Sequence, residues 1–95
     1  MNHELKTLPR YFERVLTGEK TFELRKNDRD FQVGDQISLL EFNPDLIHEE
    51  NKGYTGRIMG CSISYIFHGG QYGLESGYCI LGLTNFSATW IKTNN

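Results

Sequence analysis

Gly18-Glu19-Lys20-Thr21-Phe22-Glu23-Leu24-Arg25-Lys26-Asn27 is the stretch on which the reading of this chain turns. Gly18 is the residue type that ends a helix in the left-handed conformation, and the residues after it read as a short strand. Alternation along a strand sets Thr21, Glu23 and Arg25 on one face and Phe22 and Leu24 on the other. That predicts a half-buried strand whose exposed face carries charge of both signs. A binding site is expected to begin here, where Lys20, Glu23 and Arg25 fall within six positions.

Upstream, Leu8, Tyr11, Phe12, Val15 and Leu16 recur at helical spacing and form one apolar face. Thr7 is the expected N-cap, and Pro9 is tolerated in the first turn. Downstream, the chain reads as strands over 20–26, 36–42, 57–67, 78–84 and, more weakly, 86–92. Met59, Cys61, Ile63, Tyr65 and Phe67 alternate with Gly60, Ser62 and Ser64. Asn27-Asp28-Arg29-Asp30, Gly34-Asp35, Asn43-Pro44-Asp45, Asn51-Lys52-Gly53, His68-Gly69-Gly70 and Ser76-Gly77 punctuate them as turns, with 43–56 expected to be a mobile loop. Several short strands and one helix point to a small α+β barrel-like sheet closed by that helix.

Ninety-five residues suit a single domain over 1–95, with a core across about 3–84 and a C-terminal strand or tail over 85–95. No run approaches the roughly 20 apolar residues of a membrane span, and the polar start Met1-Asn2-His3-Glu4 is no signal peptide, so no membrane partner and a cytoplasmic location are expected. Cys61 and Cys79 sit in apolar alternating runs and read as buried free thiols. The histidines at 3, 48 and 68 are scattered, so neither a metal nor another cofactor is expected.

Net charge is −2, but residues 1–29 carry seven Lys/Arg against five acids, while residues 30–95 carry three against seven. A local basic surface on an acidic chain fits one anionic group or a short single strand better than duplex DNA.

Gly18-Glu19-Lys20-Thr21-Phe22-Glu23-Leu24-Arg25 resembles the Gly-x-Lys-x-x-Glu-x-Arg signature of the ASCH superfamily, one of the PUA-like barrels. His3-Glu4-Leu5-Lys6, Tyr11-Phe12, the run from Lys26 to Asp35, Gly69-Gly70-Gln71-Tyr72-Gly73 and Gly77-Tyr78-Cys79-Ile80-Leu81-Gly82-Leu83 resemble a small family within that group. That family has no assigned function and occurs in bacteria, their phages and prophages. The resemblance implies a PUA-like pseudo-barrel of about five to six strands with the N-terminal helix beside it. It also implies a cleft lined by the signature Lys20, Glu23 and Arg25, with RNA, a nucleotide or a modified nucleoside as ligand.

On the residues themselves, Lys20 suits a phosphate or a polarised carbonyl. Arg25 can fork onto phosphate or stack on a base, and Glu23 can accept from a base amino group or simply pair with Arg25. Lys26 and Arg29 are candidates for backbone contact, whereas Asp28 and Asp30 suit a solvated turn. In the glycine-rich loop, Gln71 offers an amide and Tyr72 a stacking face at the cleft rim, with the role of His68 open. Some ASCH relatives are amidohydrolases of acetylated cytidine whose Thr nucleophile stands three residues after the motif Lys. Here that position is Glu23, which moves the expectation from hydrolysis towards binding. Two alternatives stand beside it: a hydrolase of a modified nucleoside or small amide with Lys20 and Glu23 as its acid–base pair, and a phage-encoded protein-interaction module.

Overall fold

In the computed structural model, which describes residues 1–90, alternating burial along the chain builds five strands. They are β1 (Asn2–Thr7), β2 (Phe22–Lys26), β3 (Gln36–Phe42), β4 (Tyr54–His68) and β5 (Tyr78–Trp90). Helix α1 (Pro9–Leu16) joins β1 to β2, and a 3-10 turn occupies Pro44–Leu46. Leu5, Ile37, Leu39, Met59, Cys61, Ile63, Cys79, Leu81 and Leu83 point inward from the strands and meet Phe12 and Val15 of α1. Each large apolar side chain so buried contributes about 1.5–3 kcal/mol.

Strand order across the sheet is β1-β3-β4-β5-β2. β1 runs parallel to β3, and the other neighbours are antiparallel. Register shifts between Leu40 and Phe42, Gly60 and Ser62, and Ile63 and Tyr65 mark bulges, which add local twist and help the sheet curl into a half-barrel. Curling brings the two edge strands together without backbone pairing. Arg25 Nη2 donates to the Lys6 carbonyl at 2.5 Å and Arg29 Nη1 to the Glu4 carbonyl at 2.7 Å, so side chains close the seam between β2 and β1. The result is the small α+β barrel-like fold expected from the strand and turn pattern.

Several local expectations need correction. Thr7 does not cap α1: it ends the unanticipated strand β1, its hydroxyl is buried without a partner, and Leu8 holds the N-cap position. β1 escaped the sequence reading because its inward residues are His3, Leu5 and Thr7, only one of them apolar. β4 begins at Tyr54 rather than 57, taking the last three residues of the stretch 43–56 into the sheet. The expected strands 78–84 and 86–92 are one, β5, with Asn85 at φ +56° where the break was placed; residues 91 and 92 lie outside the described residues. Gly18, at φ +84°, ends α1 as expected, its N–H bonded to the Val15 carbonyl.

Candidate functional site: a carboxylate between two cations at the barrel seam

The faces of β2 are the reverse of the expected arrangement. Glu23 is buried at 4% exposure, whereas Phe22 and Leu24 are 45% and 53% exposed. Register supplies the reason. Glu23 stands opposite the buried Leu81 and Arg25 opposite the buried Cys79, so the signature side chains share the inner face of β5. Phe22 and Leu24 stand opposite Gly82 and Ile80 on the outer face. A carboxylate hidden this way needs charged partners, and two neighbours in the motif supply them. Lys20 Nζ donates to Glu23 Oε1 at 2.8 Å, and Arg25 Nε donates to Oε2 at 3.1 Å. Lys20 also donates to the Phe22 carbonyl at 2.6 Å.

Two surface depressions flank this triad. On the helix side, Arg10, Tyr11, Arg14, Glu19, Lys20 and Phe22 line a hollow of about 470 Å³. Tyr11, Lys20 and Phe22 recur in a neighbouring hollow of about 340 Å³ that reaches Glu23 and Leu24. Lys20 Nζ lies 4.9 Å from the Phe22 ring centre and 5.7 Å from that of Tyr11, both within cation–π range. Arg10 covers the Tyr11 ring at 4.8 Å, and Arg14 pairs with Glu19 at 2.9 Å. Across the seam, Glu4, Lys6, Arg25, Arg29, Leu40 and Tyr54 line a hollow of about 410 Å³.

A second buried carboxylate went unread in the sequence. Glu41 accepts two bonds from Arg57, through Nε and Nη2 at 2.8 Å each, and one from the Thr55 hydroxyl at 2.5 Å. Arg57 also reaches Glu13 at 3.0 Å and covers the Phe12 ring at 5.0 Å, pinning α1 to the sheet. Arg57, chiefly through these hydrogen bonds, holds the Glu41 carboxyl below its ordinary range, and the carboxylates raise the guanidinium in return. Strand period was the available signal. Ile37, Leu39 and Glu41 share one face of β3, and Arg57, Met59 and Cys61 share one face of β4.

Asp35 forms the third buried acidic site. His3 bonds it at 2.8 Å, the Gln32 N–H at 3.0 Å and the N-terminal ammonium at 3.3 Å. The His3 bond leads these in holding the Asp35 carboxyl below its usual range. Phe31 meets His3 edge-on at 4.7 Å, so this histidine packs into the fold beneath the Gly34-Asp35 turn. Cys61 and Cys79 are buried free thiols, as expected. Burial pushes Cys61 up to about 11 and raises Cys79 as well. Among the described residues no group of three or more His, Cys, Asp or Glu could hold a metal ion, and no helix is long and apolar enough to cross a membrane.

Of the residues singled out in the sequence, Lys20, Glu23 and Arg25 come together directly, and Arg29 joins Arg25 across the seam. Lys26 is exposed at the far end of β2, roughly 20 Å of strand rise from Lys20. Gln71 and Tyr72 lie beyond that same end, since His68 pairs with Cys79 and Lys26 with Tyr78. Neither lines the hollows around Lys20. Gln71 turns back to the His68 carbonyl at 3.0 Å, and Tyr72 is 92% exposed. A Cβ at Gly69 would collide with the carbonyls of Glu75 and Tyr78, so that glycine serves the reversal itself. His68 borders a separate hollow with Asn27, Asp30 and Tyr65. Tyr11, Tyr54, Lys6 and Arg10 were missed as neighbours of the triad, because only the curl of the sheet brings them to it.

Comparison with known proteins agrees with the extent of this fold. The family described as a domain of unknown function (DUF3850) matches residues 2–83, from β1 into β5. A protein of Escherichia phage P2, described as an uncharacterized 12.9 kDa protein in the GpA 3′ region, is 39% identical over 56 residues. That stretch is 58% of this chain and 44% of the phage protein, so the similarity spans less than half the relative's length.

Proposed function

This chain belongs to the family described as a domain of unknown function (DUF3850), and from that premise we propose that it is an RNA- or nucleotide-binding domain of the ASCH, PUA-like kind. The ligand lies in the cleft between α1 and β2, and the protein works as one domain in the cytoplasm. One observation carries the reading. Lys20 is held by the buried Glu23 within cation–π distance of two exposed rings, Tyr11 and Phe22. A nucleotide offers a phosphate to the cation and a base to the rings, and here both kinds of partner stand within reach of one small ligand. Arg10 adds positive charge along the helix side of the cleft, where Arg14 is paired with Glu19.

The hydrolase alternative draws less support. Each oxygen of Glu23 already accepts a bond from a cation, and Lys20 is engaged with the Phe22 carbonyl as well. Two cations bonded to a carboxylate stabilise its ionised form and so weaken it as a general base.

Fluorescence anisotropy with labelled short RNA, at low and increasing salt, tests the binding reading. Contact with two or three phosphates gives a slope of log affinity against log salt of about −1.4 to −2. Tyr11→Ala removes one ring and lowers affinity about tenfold, within the range for loss of one base stack. Absence of measurable binding by RNA and nucleotides at low salt overturns the proposal.

A further inference from the structure

We propose that the ligand is a single-stranded oligonucleotide which continues from the helix cleft across the seam into the hollow beyond it, rather than a free mononucleotide. This rests on the nucleic-acid reading above and adds a second subsite to it. The far hollow has the same chemistry as the cleft, built from other residues. Lys6, Arg25 and Arg29 face it with a single carboxylate, Glu4, and Tyr54 supplies an exposed ring held edge-on against Phe42 at 5.3 Å. Lys6 Nζ lies 4.6 Å from the Phe42 ring and 5.9 Å from that of Tyr54, so cation and aromatic face are again adjacent.

The two hollows have no lining residue in common and are linked through the Glu23 cluster. Lys20 lines the cleft, Arg25 lines the far hollow, and a single carboxylate, Glu23, bonds both. Two cations on that one carboxylate leave the link between the hollows net positive. The two arginines are also set in advance. Their guanidinium groups are anchored on the Glu4 and Lys6 carbonyls, which lie about 6–7 Å apart by strand rise, on the order of one repeat of an extended single strand. Of five N–H donors each, Arg25 uses one on Glu23 and one on β1, and Arg29 uses one on β1 while its Nε faces Asp28 at 3.9 Å. The remaining donors suit phosphate oxygens, and their fixed geometry lowers the entropy cost of binding. A mononucleotide can occupy only one of the two hollows.

The test compares AMP with oligoadenylates of two, three and five residues, by competition against a labelled pentamer at constant salt. Affinity is expected to rise about tenfold or more between AMP and the trimer, as one further stack and its phosphates engage. Tyr54→Ala and Arg29→Lys are expected to shrink that ratio to threefold or less. Arg29→Lys keeps the charge but loses the fork and its bond to the Glu4 carbonyl, and Tyr54→Ala loses the edge contact with Phe42, so the ratios are measured at a temperature where thermal melts show both variants folded. A trimer that binds no better than AMP, or a ratio that survives both substitutions, overturns the second subsite and leaves the cleft reading standing. Failure of AMP and every oligomer to bind overturns the cleft reading, and the second subsite falls with it.

Discussion

Glu41 and Glu23 are equally hidden in this barrel, yet their surroundings differ in kind. Glu41 is clamped by one arginine whose fork matches the carboxylate, with a hydroxyl completing the set and Glu13 behind it. Its partners tie α1, β3 and β4 to one another. Glu23 is shared between two cations that both border surface hollows and also hold backbone carbonyls, Lys20 on Phe22 and Arg25 on Lys6. The first arrangement stabilises the fold. Arg57 also borders a hollow, with Glu41 and Tyr54, but it carries two carboxylates on one cation. The Glu23 cluster sets two cations on one carboxylate, and that excess of fixed positive charge is what a site for an anionic ligand needs.

Cutting each clamp tests that contrast, and the largest effect is expected at Glu41. Arg57→Ala leaves a buried carboxylate with only Thr55 as partner. Breaking a buried pair costs about 3–5 kcal/mol, and the partial exposure of Arg57 reduces this to about 2–3 kcal/mol. A melting temperature lower by about 10–20 °C follows for a chain of this size. A loss below about 0.5 kcal/mol in urea denaturation would remove the structural role assigned to this clamp.

Arg25→Ala should behave differently. It removes one of two cations from Glu23 and one of two side-chain bridges across the seam, at a cost of about 1–2 kcal/mol. RNA affinity should fall at least tenfold in the same variant, measured at a temperature where it remains folded. Loss of stability with unchanged affinity would make the Glu23 cluster a second copy of the Glu41 clamp, and the contrast would end there.

Acid addresses the structural clamps through their protons. The Glu41 and Asp35 carboxyls lie below their ordinary values of 4.5 and 3.8, so the folded chain binds fewer protons than the unfolded chain as pH falls. Their contribution is fully present above those values and is lost as pH drops through the lower folded ones. Stability should therefore be flat above about pH 5 and decline below about pH 4. Asp35→Asn and Glu41→Gln should each shallow the decline, and a wild-type profile level down to pH 3 would contradict both assignments.

The sequence spoke clearly where burial follows simple periodicity. Phe12 and Val15 on α1, Ile37 and Leu39 on β3, and Met59, Cys61 and Ile63 on β4 are core residues whose spacing announces it. It spoke less clearly where the inside is polar. His3 and Thr7 hide β1, because His3 is satisfied by Asp35, 32 positions away, and the parallel pairing of β1 with β3 leaves no local signature. Site residues within one short motif, Lys20, Glu23 and Arg25, could be gathered by eye. Tyr54 and Lys6 could not, since they reach Arg25 only when the sheet curls edge to edge.

β2 is where the apolar-inside rule fails, and it supplies the smallest expected effect. Read by hydropathy, Leu24 belongs to the core, and Leu24→Thr would then cost at least about 2 kcal/mol, as truncation of a buried leucine does. In the fold, Leu24 stands on the outer surface, opposite the half-buried Ile80 and on the same strand as the buried Glu23. Threonine is β-branched and suits an exposed strand position, so Leu24→Thr should lie within about ±0.5 kcal/mol of wild type by urea denaturation. Glu23→Leu makes the reciprocal test, because it places an apolar side chain inside while stranding Lys20 and Arg25 without their carboxylate. If Leu24→Thr were the costlier change, the strand would have the face assignment of its hydropathy, and Glu23 would no longer be the buried centre of the site.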